Sequence, residues 1–66
     1  MAVLKVVEIL SESKESWEDA TRRAVERTSK SVKNVRSVYV QNQNAVVKNG
    51  KISAFRVNLK VTFEVK

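Results

Sequence analysis

From Ile52 to Val65 apolar and polar residues alternate almost without fault. Phe55, Val57, Leu59, Val61, Phe63 and Val65 fall on one face, and Ala54, Arg56, Asn58, Lys60, Thr62 and Glu64 on the other. A period of two over this length predicts a long β-strand with one face in a core and a polar row on the other. A strand this long is exposed to edge-to-edge aggregation unless it is covered or paired. Its polar row, headed by Arg56, is the first place to look for function.

The segment Val3 to Leu10 is rich in β-branched residues and predicts a first strand. Ser11 to Ser13 supply capping hydroxyls, and Glu15, Glu18 and Asp19 follow where acids complement a helix dipole. The helix is expected from about Lys14 to Lys33. Trp17, Ala20, Thr21, Ala24, Thr28 and Val32 form its apolar stripe. Glu18 with Arg22, Asp19 with Arg23, and Glu26 with Lys30 stand four apart in the favourable order. Asn34 marks a stop. Val35 to Val47 predicts the second strand, with Val38 and Val40 facing the helix and Ser37, Tyr39, Gln41 and Gln43 facing away. Asn49-Gly50 then makes a hairpin turn into the last strand.

The order is β-α-β-β. The strand-helix-strand unit leaves the first two strands parallel, and the hairpin partner inserts between them. The expected fold is α+β: a three-stranded antiparallel sheet in the order 1-3-2 wrapped on one helix. Residues 1–66 are expected to form a single domain. Ser37, Tyr39, Gln41, Gln43, Arg56 and Asn58 are expected to line the open, concave face.

A 66-residue chain buries only ~60% of its unfolded surface and needs a staple. There is no cysteine and no histidine, so neither a disulfide nor a thiolate or imidazole metal site can supply it. Assembly into a homo-oligomer is the remaining remedy. No stretch approaches the ~18 apolar residues of a membrane span, and Lys5 and Glu8 interrupt the apolar start. A cytoplasmic protein without a membrane partner is expected. The net charge of +6 is uneven: five of the seven acids lie between Glu8 and Asp19, and eight bases with no acid run from Arg27 to Lys60. In an oligomer the early acids are expected to pair with that basic block on neighbouring subunits. The block also suits an anion, but no aromatic-rich recognition motif for nucleic acid accompanies it.

No catalytic constellation is present: no nucleophile paired with a histidine, no glycine-rich phosphate loop and no metal-binding helix motif. An enzyme is not expected. Trp17 falls in the apolar stripe and is expected to pack under the sheet. Tyr39 falls on the polar face, where its ring is exposed or meets another subunit. Gln41, Gln43 and Arg56 offer donors and acceptors on rigid strands, and Tyr39 a stacking surface. Such a cluster holds either a planar polar ligand or a subunit contact.

Lys5-Val6-Val7-Glu8-Ile9 before a serine-rich helix start, Ser16-Trp17-Glu18-Asp19-Ala20, Asn34-Val35-Arg36, and Phe55 through Phe63 occur in order and at matching spacing. Together they resemble the dodecins, small β-α-β-β proteins that assemble as hollow dodecamers and bind flavins. The resemblance covers essentially the whole chain and implies a homododecameric shell that stores or sequesters FMN or riboflavin without catalysis. In flavin-binding dodecins a tryptophan early in the second strand stacks on the isoalloxazine, and a glutamine early in the third bonds its polar edge. Those positions fall on Ser37 and Arg56 here. Serine has no π face to stack, and arginine only donates, so it cannot accept from the flavin N3–H. The resemblance is to a branch of the family with arginine at that position and no stacking tryptophan, a branch in which calcium binding is known. Calcium takes several oxygen ligands, usually carboxylates. The polar face offers Gln41, Asn42, Gln43, Asn44 and Asn58, with Glu64 as its carboxylate. Three functions stay open: a flavin-related storage shell with a weakened site, a flavin-free structural or ion-binding dodecamer, and a phosphate or nucleic-acid binder using the basic block.

Overall fold

A computed structural model describes residues 2–66. The elements are β1 (Val3–Ser13), α1 (Trp17–Ser31), β2 (Val35–Lys48) and β3 (Lys51–Val65). They form one sheet in the order β1-β3-β2, with both pairings antiparallel. The expected topology is the observed one. At about 3.3 Å per residue a 15-residue strand spans about 50 Å, and the molecule measures 50 × 20 × 13 Å. Its length is that of β3.

The helix is shorter than its periodicity suggested. Ser16, with extended backbone, is the N-cap, and its hydroxyl accepts the Asp19 N–H at 2.9 Å. Glu18 and Asp19 then occupy the first turn, where they complement the dipole. Lys14 and Glu15 lie outside because Ser13 captures the Glu15 N–H at 2.9 Å. The serines expected to cap the helix belong to β1 instead. Ser11 donates to the Ala20 carbonyl at 2.9 Å, and buried Ser13 donates to the Asp19 carboxylate at 2.6 Å. They extend β1 three residues past Leu10 by giving its polar end helix partners. At the far end Val32 N–H returns to the Thr28 carbonyl at 2.8 Å, and Asn34 turns the chain with φ 65°. Asn49 (φ 52°) and Gly50 (φ 74°) close the hairpin, both left-handed as such a turn requires.

The core is small. Ala20 and Ala24 bring the helix close to Val57 and Leu59, with Ile9, Trp17 and Val38 packed around them. Val61 is also buried. The expected helix stripe is the one that faces the sheet. One expectation fails at β2: Val40, in register with Leu59, is 40% exposed. The helix lies mainly over β1 and β3 and leaves this edge strand uncovered. Ala54, placed in the polar row by alternation, is 6% exposed and so effectively buried.

Candidate functional site

The sheet face away from the helix follows from the register, since directly opposed residues share a face. From β3 it takes Arg56, Asn58, Lys60, Thr62 and Glu64. From β1 it takes their partners Glu12, Leu10, Glu8, Val6 and Leu4. Leu4, Val6 and Leu10 are exposed, Leu10 at 78%. The open face is therefore apolar along β1 and polar along β3.

On β2, Ser37 stands opposite Thr62, and Tyr39, 64% exposed, opposite Lys60. Both lie on the open face, as alternation implied. Between Val40 and Asn42 the register slips. One extra residue, Gln41, reverses the parity of the strand beyond it. Asn42 and Asn44 thus come opposite Asn58 and Arg56, while Gln43 comes opposite Val57 on the helix side. Gln43 does not share the face of Arg56, contrary to the expectation from simple alternation.

Arg56 is not a free cation. Its Nε donates to the Glu12 carboxylate at 2.8 Å, both side chains being about half exposed. Leu10, Ser11, Glu12, Asn44, Arg56 and Val57 line a cleft of about 620 Å³ around this pair. Next along β3, Asn58 Oδ1 is buried with no hydrogen-bond partner, which costs about 1–3 kcal/mol unless something meets it. Ser37 lies at the other end of the same face. Six β3 positions separate its partner Thr62 from Arg56, about 20 Å at strand spacing. Within one subunit Ser37 and Arg56 cannot touch one small ligand.

Sequence reasoning did not single out Glu12 or Leu10, and it named Asn42 and Asn44 only among the oxygen donors for calcium. The first two were detectable: Leu4, Val6, Glu8, Leu10 and Glu12 alternate once β1 is run to Ser13. The asparagines depended on an invisible bulge.

Trp17 packs on the other side of the sheet. Its ring meets Phe55 edge-on (centroids 4.9 Å apart, 75° between planes), and its indole N–H donates to the Asn44 carbonyl at 2.8 Å. It ties the helix start to β2 just behind the cleft.

The early acids find bases in their own chain. Glu18 meets Arg22 at 2.6 Å, and Arg23 meets Asp19 at 2.7 Å and Glu15 at 3.1 Å. Arg36 meets Glu64 at 2.8 Å. Together with Glu12–Arg56, these engage Glu12, Glu15, Glu18 and Asp19 within one subunit. The Ser13 hydroxyl, with Arg23 and Arg22 beside it, holds the Asp19 carboxyl below its ordinary 3.8. Among the described residues, no three Asp, Glu, His or Cys side chains gather as a metal site, and no helix is long and apolar enough to cross a membrane.

The family model for Dodecin matches residues 3–66. This chain belongs to the dodecin family. The calcium dodecin of Mycobacterium tuberculosis is 35% identical over 66 residues, covering 100% of this chain and 93% of that protein. A crystal structure of that species' calcium dodecin, described as a calcium-chelating antigen with a novel calcium-binding site, aligns with a TM-score of 0.84 at 38% identity. It covers 97% of this chain and 91% of the other. The dodecin from Streptomyces davaonensis aligns with a TM-score of 0.93 at 25% identity, covering 98% of this chain and 96% of that one. The dodecin sheet order and single helix are those described above.

Proposed function

We propose that this dodecin is a homo-oligomeric small-molecule binding protein, not an enzyme. In this reading residues 1–66 act as one unit and the open sheet face is its ligand face. The observation that carries it is the uncovered face itself. On it Tyr39, Asn58 and Arg56 present an aromatic ring, a buried unpartnered carbonyl and a guanidinium on rigid strands. The ~20 Å between Ser37 and Arg56 requires that a ligand touching both be held by two subunits. The chain is of the dodecin type with serine in place of the stacking tryptophan and arginine in place of the flavin-contacting glutamine. Flavin affinity is correspondingly weak, with Tyr39 as the aromatic surface left for a ring.

The likeness to a calcium dodecin favours a second reading, in which the bound species is a calcium ion. The side chains of one subunit do not fit that ion well. Glu12 and Glu64 are each engaged by an arginine, and no carboxylate cluster forms among the described residues. A calcium site here would draw on amide and backbone oxygens of more than one subunit, and its affinity would be low.

Native mass spectrometry combined with riboflavin and calcium titrations tests both readings. A closed oligomer, with riboflavin quenched weakly and with sub-stoichiometric calcium at micromolar ion, is the expected result. A monomer or dimer at micromolar concentration overturns the assembly. Tight calcium binding, with no flavin quenching, moves the assignment to the second reading.

A further inference from the structure

The Glu12–Arg56 pair lies near the hairpin-side end of the open face. Its 2.8 Å contact joins β1 to β3 directly across the sheet, where the two residues are register partners. The cleft around it contains one acid and one base and is otherwise lined by Leu10, Ser11, Asn44 and Val57. Its formal charge is zero. A ligand anion entering here meets a guanidinium whose Nε–H is already donated to a carboxylate and must also approach that carboxylate.

The neighbouring polar group asks for the opposite kind of ligand. Asn58 stands two residues along β3 on the same face, between Leu10 and Asn42. Its buried Oδ1 has no partner and is satisfied by an N–H donor. On the hairpin side the same Glu12 and Arg56 line a second cleft of about 390 Å³ with Lys14 and Lys48. Bases that could attract an anion are thus close by, and Glu12 sits among them.

We infer that Glu12 sets the ligand class of this face: as an internal anion it occupies Arg56, so the cleft selects uncharged ligands bearing N–H donors over phosphorylated ones. This rests on the reading of the open face as the ligand face. Removing the Glu12 charge takes away repulsion between a carboxylate and a polyphosphate several ångströms distant. It also frees the guanidinium for fork-type contact with phosphate oxygens. In water-like dielectric these distances correspond to about a fivefold to tenfold gain at low ionic strength, declining as salt screens it.

The assembled parent, Glu12→Gln and Glu12→Gln/Arg56→Gln are titrated with inorganic pyrophosphate by calorimetry. Circular dichroism confirms that each is folded, as expected at half-exposed positions. Glu12→Gln should bind pyrophosphate about fivefold to tenfold more tightly than the parent, and the double variant should lose that gain. Equal affinity in parent and Glu12→Gln overturns the inference. So does a gain that survives without Arg56, which would assign it to Lys14 and Lys48. In a second arm, the affinity ratio of riboflavin 5′-phosphate to riboflavin should rise by the same factor in Glu12→Gln. If neither protein takes up any flavin, the flavin reading of the face fails while the pyrophosphate comparison still decides the role of Glu12.

Discussion

Replacing Trp17 separates packing from recognition on the two sides of this sheet. The ring is half-buried, contacts Phe55 edge-on and donates one hydrogen bond to the Asn44 carbonyl. Truncating a fully buried tryptophan costs about 3–5 kcal/mol, and half-burial places the packing loss near about 2 kcal/mol. The edge-on pair adds about 0.5–1.5 kcal/mol. The hydrogen bond adds about 0.5–1.5 kcal/mol, at the low end because the freed carbonyl is exposed to water. Trp17→Ala should therefore destabilise by about 3 kcal/mol. Trp17→Phe keeps an aromatic edge, loses the bond and some area, and should cost about 1 kcal/mol. Trp17 is the only tryptophan, so unfolding in urea must be followed by far-UV circular dichroism. The subunit concentration must be held fixed, since assembly contributes to apparent stability. The reasoning fails if Trp17→Ala costs less than about 1 kcal/mol, or if the two substitutions cost the same. It also fails if Trp17→Phe changes ligand affinity while leaving stability intact, because the indole would then be part of a binding site.

Three further outcomes follow from the same contacts. The Asp19 carboxyl is held below 3.8 by the Ser13 hydroxyl and by Arg23 and Arg22. Its contribution is therefore complete above that value and is lost as pH falls below it. Asp19→Asn should flatten the acid limb of stability, and an unchanged limb in urea melts across that range would count against the assignment. Gly50→Ala meets no atom within 4 Å but must hold φ 74°, so it should cost about 1 kcal/mol; a neutral melt would show that the turn rearranges freely. Ser37→Trp with Arg56→Gln should tighten riboflavin by about tenfold or more through a new stacking plane and a donor-acceptor amide. Fluorescence quenching reports it, and tight quenching by the parent would sink the ligand assignment. The gain should require the assembled protein, because the two positions cannot meet within one subunit.

Much of this architecture was legible in the chain. The unbroken alternation of Phe55 to Val65 placed β3 at the sheet centre, and Asn49-Gly50 forced its pairing with β2. Trp17, Ala20, Ala24 and Thr28 gave the helix face. Two features were hidden for definite reasons. Gln41 to Asn44 are four consecutive polar amides, so nothing in their hydrophobicity records the phase of the strand, and a bulge there costs no buried contact. The slip at Gln41 was unreadable, and with it the exchange of Gln43 for Asn42 and Asn44. Ser11 to Ser13 carry a helix-capping composition, but two of these hydroxyls serve the helix from the neighbouring strand. Reading them as a cap ended β1 early and removed Glu12 from the partners of Arg56.

That shortened strand matters to function because charge on this face is decided by pairs and not by composition. The net charge of +6 suggests a surface that collects anions. Arg22, Arg23, Arg36 and Arg56 are each tied to a carboxylate of the same subunit, and exposed pairs of this kind add little stability. Their effect is on the potential that a ligand meets. The excess positive charge is left to Arg27 and the lysines, most of them around the helix and hairpin, with Lys60 on the open face opposite Glu8 and Lys5 on β1 at its apolar edge. There Leu4, Val6 and Leu10 lie bare beside a core built on Ala20 and Ala24 of the helix and Ala54, Val57, Leu59 and Val61 of β3. A core of that size gives marginal stability alone, and an exposed apolar row of that length calls for a covering surface. In the proposed oligomer the same sheet face both buries that row and presents Tyr39, Asn58 and the Glu12–Arg56 pair. Assembly and ligand recognition would then share one surface, and a substitution there would change both together.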